Sequence, residues 1–443
     1  MRTAALHNLG CKVNSYETEA MQQLLEEAGY EIVPFHEKAD VYIINTCSVT
    51  NIADRKSRQM LHRAKKQNPD AVVVAAGCYV QAAAEELKAD LAVDVIIGNN
   101  KKQDLLPILE EYFKDKSDSS HVIEISETHE YERLSIHKIA DHTRAFLKIQ
   151  DGCNQFCSYC IIPYTRGRVR SRRPDEVVAE VRELAAAGYQ EVVLTGIHLS
   201  SYGVDFKEEE KKENLLSLIK QVHEVEGIRR IRLGSLEPRI ITEEFAQALA
   251  SMPKFCPHFH LSLQSGCDKP LKRMNRHYTT EEYAAGCEIL RRYFDNPAIT
   301  TDVIVGFPGE TEEEFEETKA FLERIGFYEM HIFKYSRRAG TRADRMPDQI
   351  PEQVKSVRSE ILLKLEKQMS KAYRESFSGK KKTVLLEEKT EIGGRAYMIG
   401  HTMEYVKAVV PYADNLKNKM TEGILKEALN DEVLLLDSRN FLN

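Results

Sequence analysis

Three cysteines stand within eight residues of this chain, in the run Cys153-Asn154-Gln155-Phe156-Cys157-Ser158-Tyr159-Cys160. For their thiols to act together, the backbone must curl into one tight loop. The C-x3-C-x2-C spacing follows a strand-like stretch, Ala145 to Gln150. Thiolates this close together are what an iron–sulfur cluster needs. Three ligands on a cube of four irons leave one iron open, able to bind and reduce a small molecule. A structural zinc site takes four ligands, usually as two separated pairs, and no second C-x2-C pair occurs. Nine cysteines in 443 residues are too few, and odd in number, for a disulfide framework. On spacing alone, a zinc site and a chance grouping of core cysteines stay open.

The chain is long enough for two or three domains. With 42% hydrophobic and 30% charged residues it reads as a soluble globular protein. Arg2 to Leu9 is strand-like, without a basic leader, and no apolar run approaches the roughly 20 residues of a membrane span. The expectation is a cytoplasmic protein with no membrane partner, whose cysteines bind metal rather than pair. The net charge of −7 neither predicts nor excludes a nucleic-acid partner.

An α/β architecture in three parts is expected. Over residues 1–112, apolar runs (Thr3–Leu9, Val41–Asn45, Val72–Ala76, Val93–Ile97) alternate with helical patterns. Asn14–Ala28 is one such helix, with an Asn14…Glu17 capping pattern and Gly29 as its stop. The β-α-β-α order predicts a small parallel sheet. Cys11, Cys47 and Cys78 each follow one of the first three runs. Parallel strands end at one edge, so the three would converge there. Three unconnected buried cysteines would look the same at this level.

Residues 113–140 read as a polar linker. Residues 141–375 carry six further βα units, too few for a closed eight-stranded barrel and suited to an open one. Strand candidates are Ala145–Gln150, Glu191–Thr195, Arg230–Gly234, His258–Leu263, Thr300–Val305 and Met330–Tyr335. Gly196, Ser235, Ser265 and Gly306 end strands with small residues, as a ligand at the rim or an ordinary turn would require. A Thr311-x-x-Glu314 capping box starts a helix to Ile325. Residues 376–443 turn to short strands, suggesting a small β-barrel that binds RNA or caps the fold.

Two basic patches are candidate RNA contacts. Arg166, Arg168, Arg170 and Arg172 alternate, with Arg173 beside them, so an extended segment would present four guanidiniums on one side. Lys380, Lys381 and Lys382 open the C-terminal region. Cys256, Cys267 and Cys287 share no spacing and read as ordinary thiols, and His260 and His331 as packed or lining residues. No phosphate-binding Gly-x4-Gly-Lys-Ser/Thr loop is present.

The whole chain resembles the radical S-adenosylmethionine (SAM) methylthiotransferases. The resemblance rests on Leu9-Gly10-Cys11-Lys12-Val13-Asn14, Ile44 to Thr50, Gly77-Cys78, Gly152 to Gly167, Leu261 to Gly266 and Thr301 to Glu310. It implies an N-terminal methylthiotransferase domain, a radical-SAM (βα)6 partial barrel and a C-terminal TRAM domain. It implies two [4Fe–4S] clusters, one on Cys153, Cys157 and Cys160 that reduces SAM, the other on Cys11, Cys47 and Cys78 that holds the sulfur to be transferred. SAM contacts are expected at Tyr159, Gly196, Ser235 and Gln264, with no catalytic residue beyond the cluster ligands.

Within the family, the Cys11 and Cys47 segments look most like the branch that methylthiolates N6-threonylcarbamoyladenosine at tRNA position 37. The implied partners are a tRNA anticodon stem-loop, an electron donor such as flavodoxin or ferredoxin, and a sulfur source. The isopentenyladenosine and ribosomal-protein S12 branches are the alternatives within the family, and an iron–sulfur electron carrier or scaffold is the alternative outside it. A carrier would want fully ligated clusters; this chain has two three-cysteine sets.

Overall fold

The computed structural model describes residues 2–116, 120–136, 143–207 and 212–438. The N-terminal sheet is parallel, in the order β2-β1-β3-β4-β5-β6. Its strands are β1 (Thr3–Asn8), β2 (Glu31–Ile32), β3 (Val41–Thr46), β4 (Val72–Gly77), β5 (Val95–Ile97) and β6 (Ser120–His121). β3 and β4 are buried along their whole length, as continuous apolar runs in a parallel sheet are when helices cover both faces.

Two expectations change here. β6 pairs with β5 through Ile96↔Ser120 and Ile97↔His121, inside the stretch expected to be a linker. Farther along that stretch Ile125, Leu134 and Ile136 are buried. These apolar residues are too scattered to show a period, yet Leu134 and Ile136 join the core of the central part. Residues 117–119 and 137–142 of the stretch lie outside the described residues.

The first helix, α1, runs Lys12–Glu27 with Cys11 at its N-cap position and no side-chain cap. Asn14 is not the cap. Its Nδ2 donates to the carbonyls of Leu9 at 2.7 Å and Thr46 at 3.0 Å. Glu17 is also buried. The two polar residues that mimic a cap are used in tertiary contacts instead.

The central part holds β7 (Arg144–Asp151), β8 (Arg170–Ser171), β9 (Glu191–Gly196), β10 (Arg230–Leu233), β11 (Ser235–Leu236), β12 (His258–Leu261), β13 (Ala298–Val305) and β14 (Glu329–Lys334). They form two sheets, β10-β9-β7-β8 and β11-β12-β13-β14, joined by an isolated bridge between Ile231 and Phe255. The six parallel strands β7, β9, β10, β12, β13 and β14 coincide with the six candidates. The arc stays open, and α1 packs against β7. The Thr311 capping box forms, with both reciprocal bonds present.

The C-terminal strands β15 (Lys381–Ile392), β16 (Arg395–His401), β17 (Lys407–Pro411), β18 (Met420–Ala428) and β19 (Leu434–Asp437) close into a barrel. This barrel plugs the N-terminal end of the central strands. Arg230 donates to the carbonyls of His401 and Thr383, both at 2.7 Å, and Arg232 to that of Met403 at 3.0 Å. Tyr405 stacks on His258 and His401, with centroids 4.8 and 4.4 Å away. Beneath them Glu191 is fully buried and accepts from Arg232 Nε at 2.8 Å. Burial opposes its charge, but Arg232, Arg230 and Arg144 hold its carboxyl down at about 2.

Glu191→Gln should leave Arg230 and Arg232 without their counter-charge, while Arg144 keeps Glu387, and cost about 3–5 kcal/mol of stability at neutral pH. The lowered value means that Glu191 contributes fully above its ordinary pKa of 4.5 and loses that contribution as pH falls toward 2. The gap between wild type and variant in chemical denaturation should therefore narrow over that window.

Candidate cluster and cofactor site

The loop after β7 begins at Gly152, with φ of +69°. A Cβ there would lie 1.8 Å from the Arg168 carbonyl oxygen, so only glycine fits. The cysteine loop is pinned from outside by Arg273 to Asn275. The Ser158 amide donates to the Met274 carbonyl at 2.9 Å and its hydroxyl to the Arg273 carbonyl at 2.8 Å. Asn275 Nδ2 donates to the carbonyls of Gln155 and Phe156 at 3.2 and 3.1 Å. Arg276 Nη1 reaches Cys157 Sγ at 3.3 Å, and the Gln155 amide reaches Cys153 Sγ at 3.5 Å. Burial pushes Cys153 up to about 11 and Cys160 to about 12. Metal binding at these thiols must therefore release protons.

Cys153, Cys157 and Cys160 open on one cavity of about 130 Å³. Of the residues expected at the cofactor, Tyr159, Ser235 and Gln264 line it. Gly196 does not. Its missing Cβ makes room for Gln150, whose Oε1 would lie 2.8 Å from it, and the next residues, Ile197 and His198, line the cavity instead. Glu237 and Arg276 also line it and have no counterpart in the sequence reading. Glu237 lies two residues past the strand-ending Ser235 and was within reach of that signal. Arg276 lies 116 residues beyond Cys160, and no pattern marks it. Burial lowers His198 to about 4, so its ring is neutral at physiological pH.

The second set meets at the strand ends of the N-terminal sheet, as expected from the parallel order. Cys11 precedes α1, Cys47 follows β3, and Cys78 opens the short helix after β4. A Cβ on Gly10, at φ +105°, would come within 2.9 Å of Cys47 Sγ, so the first two loops touch. Burial pushes Cys47 up to about 11.

Among the described residues, the set of possible ligands whose atoms all lie within 4.8 Å of one another is His260, Asp302 and His331.

Arg166 ties the two sets together. It is fully buried. Its Nε donates to Cys78 Sγ at 3.2 Å, its Nη1 to Glu17 and Asp151 at 2.8 and 3.0 Å, and its Nη2 to Asn14 and Glu17 at 2.6 and 3.1 Å. Lys148 Nζ adds contacts to Glu17 and Asp151, both at 2.7 Å, and Lys102 Nζ one to Glu17 at 3.1 Å. Burial works against the charge on Glu17, but Arg166, Lys102 and Lys148 hold its carboxyl well below the usual range.

This corrects the expected arginine row. Arg166 and Arg170 are buried around Asp151, and Arg172 is buried against Glu180. Only Arg168 and Arg173 of the five are exposed. The alternation fails because Gly167 turns the chain at φ +71°. The lysine run is likewise not a free patch. Lys381 pairs with Glu422, and Lys382 with Glu404 at 2.5 Å. Lys380 lies over the Phe377 ring at 5.2 Å. Cys256, Cys267 and Cys287 are buried core thiols.

The pattern of the Radical SAM superfamily matches residues 147–322, and that of Uncharacterized protein family UPF0004 matches residues 3–98. The chain is 43% identical over 424 residues to the threonylcarbamoyladenosine tRNA methylthiotransferase MtaB of Bacillus subtilis, covering 95% of this chain and 93% of that one. The chain belongs to the radical SAM methylthiotransferase family. It is also 38% identical over 392 residues to the tRNA-2-methylthio-N(6)-dimethylallyladenosine synthase of Moorella thermoacetica, covering 87% of each. Among solved structures, the radical S-adenosylmethionine methyltransferase TsrM of Kitasatospora setae shares the fold. Its TM-score is 0.56 at 16% identity, over 75% of each chain. Membership brings [4Fe–4S] clusters and SAM as cofactors. The loop sulfurs, the donors aimed at them and the adjoining cavity fit those groups.

Arg166→Leu should take from buried Asn14, Glu17 and Asp151 the donor they share, leaving the two acids only Lys102, Lys148 and Arg170, and cost about 3–5 kcal/mol. Arg168→Leu, on the exposed surface, should stay within about 0.5 kcal/mol. Denaturant midpoints of the two variants separate the buried arginine from the surface one.

Proposed function

We propose that this methylthiotransferase converts N6-threonylcarbamoyladenosine at tRNA position 37 to its 2-methylthio derivative. The observation that carries it is a buried arginine that joins Cys78 of one three-cysteine set to Asp151, two residues before the other, in a chain that matches a threonylcarbamoyladenosine enzyme along nearly its full length. The higher identity and coverage of that relative, against 38% and 87% for the dimethylallyladenosine enzyme, favour this branch.

Cys153, Cys157 and Cys160 are assigned to the SAM cluster, and Cys11, Cys47 and Cys78 to the auxiliary cluster. When bound, the first cluster supplies the one-electron reduction of SAM that lets an unactivated adenine C2–H be attacked. The chain's own residues position and shield. Arg276 donates to the Cys157 sulfur. Tyr159 and Gln264 wall the SAM cavity, and Glu237, held by Arg239 at 2.6 Å, adds a carboxylate to that wall. The C-terminal barrel, assigned as a TRAM module, closes the floor. The base must leave its stack to reach the rim, and an anticodon loop is already partly unstacked. Exposed Arg168 and Arg173, with Lys380 on the C-terminal barrel, are assigned to phosphate contacts. A flavodoxin- or ferredoxin-type reductant and a sulfur source complete the partners. Among the described residues no helix is long and apolar enough to cross a membrane.

Anaerobically prepared protein should hold about eight irons, as two cubane clusters, and the Cys11, Cys47, Cys78 triple Ala variant about four. Retention of all the iron in that variant would overturn the auxiliary assignment. Cys157→Ala should abolish both SAM cleavage and methylthiolation. Cys47→Ala should still release 5′-deoxyadenosine from SAM and dithionite while forming no methylthiolated nucleoside. Chromatography of 5′-deoxyadenosine beside mass spectrometry of digested tRNA reads both; wild-type product from Cys47→Ala contradicts the proposed sulfur site.

A further inference from the structure

Lys12 follows Cys11 directly and occupies the first turn of α1, which packs against the first barrel strand. Its Nζ lies 5.9 Å from the Phe146 ring centroid, beside the inward face of β7. Arg144, Arg232, Glu191 and Asp302 are the charged groups whose fields reach it. Each of those four has a partner. Arg144 pairs with Glu387 at 3.1 Å, Arg232 with Glu191 at 2.8 Å, and Asp302 with His260 at 3.3 Å. Lys12 has none: no oxygen among the described residues accepts from its Nζ. The Lys12 side chain is exposed, so water meets its ammonium and an anionic ligand can take that water's place. The N-terminus of α1 has no side-chain cap, so its free N–H groups add to the positive end.

We propose that Lys12 is a subsite for a carboxylate carried on the N6 substituent of the target adenosine. The assignment rests on the substrate proposed above and adds the residue that selects it. Adenine C2 and the N6 substituent flank the same ring nitrogen, N1. A base turned with C2 toward the cluster on Cys11 therefore sends its N6 substituent past the neighbouring residue. The threonylcarbamoyl group ends in a free carboxylate, which the Lys12 ammonium can pair with; an isoprenoid group ends in hydrocarbon and leaves the ammonium unpaired. Selection then comes from both a match and a penalty.

The test uses full-length, cluster-loaded protein and anticodon stem-loop RNAs carrying the threonylcarbamoyl acid or its neutral methyl ester. Wild type should bind the acid roughly 10- to 100-fold more tightly than the ester, as expected of one hydrogen bond between charged groups. Lys12→Met should bind both at the ester level, and Lys12→Arg should restore the preference for the acid. Because each result is a ratio on one protein, partial loss of a cluster does not imitate it. A wild-type ratio in Lys12→Met overturns the subsite. So does an equal loss on both RNAs, which places Lys12 on phosphates or on the cluster. Wild-type turnover is read separately: product from isopentenyladenosine RNA and none from the threonylcarbamoyl RNA overturns the substrate proposal and leaves the Lys12 ratio to be judged by itself.

Discussion

The structure turns on one buried guanidinium. Arg166 joins Asn14 and Glu17 of the first helix, Cys78 of the short helix after β4, and Asp151 of the first barrel strand. Asp151 lies two residues before the first cysteine of the loop. Around it Lys102, Lys148 and Arg170 add positive charge, and Glu17, Glu132 and Asp151 supply the negative. These seven groups carry one more positive charge than negative. An anionic cluster bound at Cys78 would offset that excess. Such a network is expensive to desolvate and does not by itself stabilise the fold relative to apolar packing. What it does is fix geometry, since removing any partner leaves a buried charge.

That constraint bears on the chemistry. The short helix after β4 and the strand that leads into the cysteine loop share one arginine, so the separation of the two cysteine sets is set by that contact. The paired charges at the floor of the barrel and the unpaired Lys12 above Phe146 are then two kinds of feature. The first kind is settled by the protein alone, and the second waits for a ligand.

Much of this was legible in the residues. The cysteine loop is a local pattern, so its chemistry survives any fold. The Cys11, Cys47, Cys78 set followed from one topological rule, that parallel strands end at a shared edge. The Thr311 capping box formed because its donors and acceptors are all within four residues. What failed was non-local. Asn14 and Glu17 have the spacing of a cap but face a partner about 150 residues away. The arginine row looked solvent-exposed because alternation presumes a strand, while Gly167 turns there against Ile125. Lys381 and Lys382 meet acids that arrive only when the barrel closes. Arg276 reaches its cysteine through tertiary structure alone.

The docking of the C-terminal barrel bears on modularity. Here Tyr405, held at φ +70° between two histidine rings, and the carbonyls of Thr383, His401 and Met403 complete the base of the central strands. Detaching the barrel would leave Arg144, Arg230 and Arg232 facing water through an open floor. The central part is therefore not a self-contained unit that evolution could fit with a different C-terminal barrel. Any replacement would have to inherit that tyrosine and those carbonyls, and the two parts are bound to diverge together.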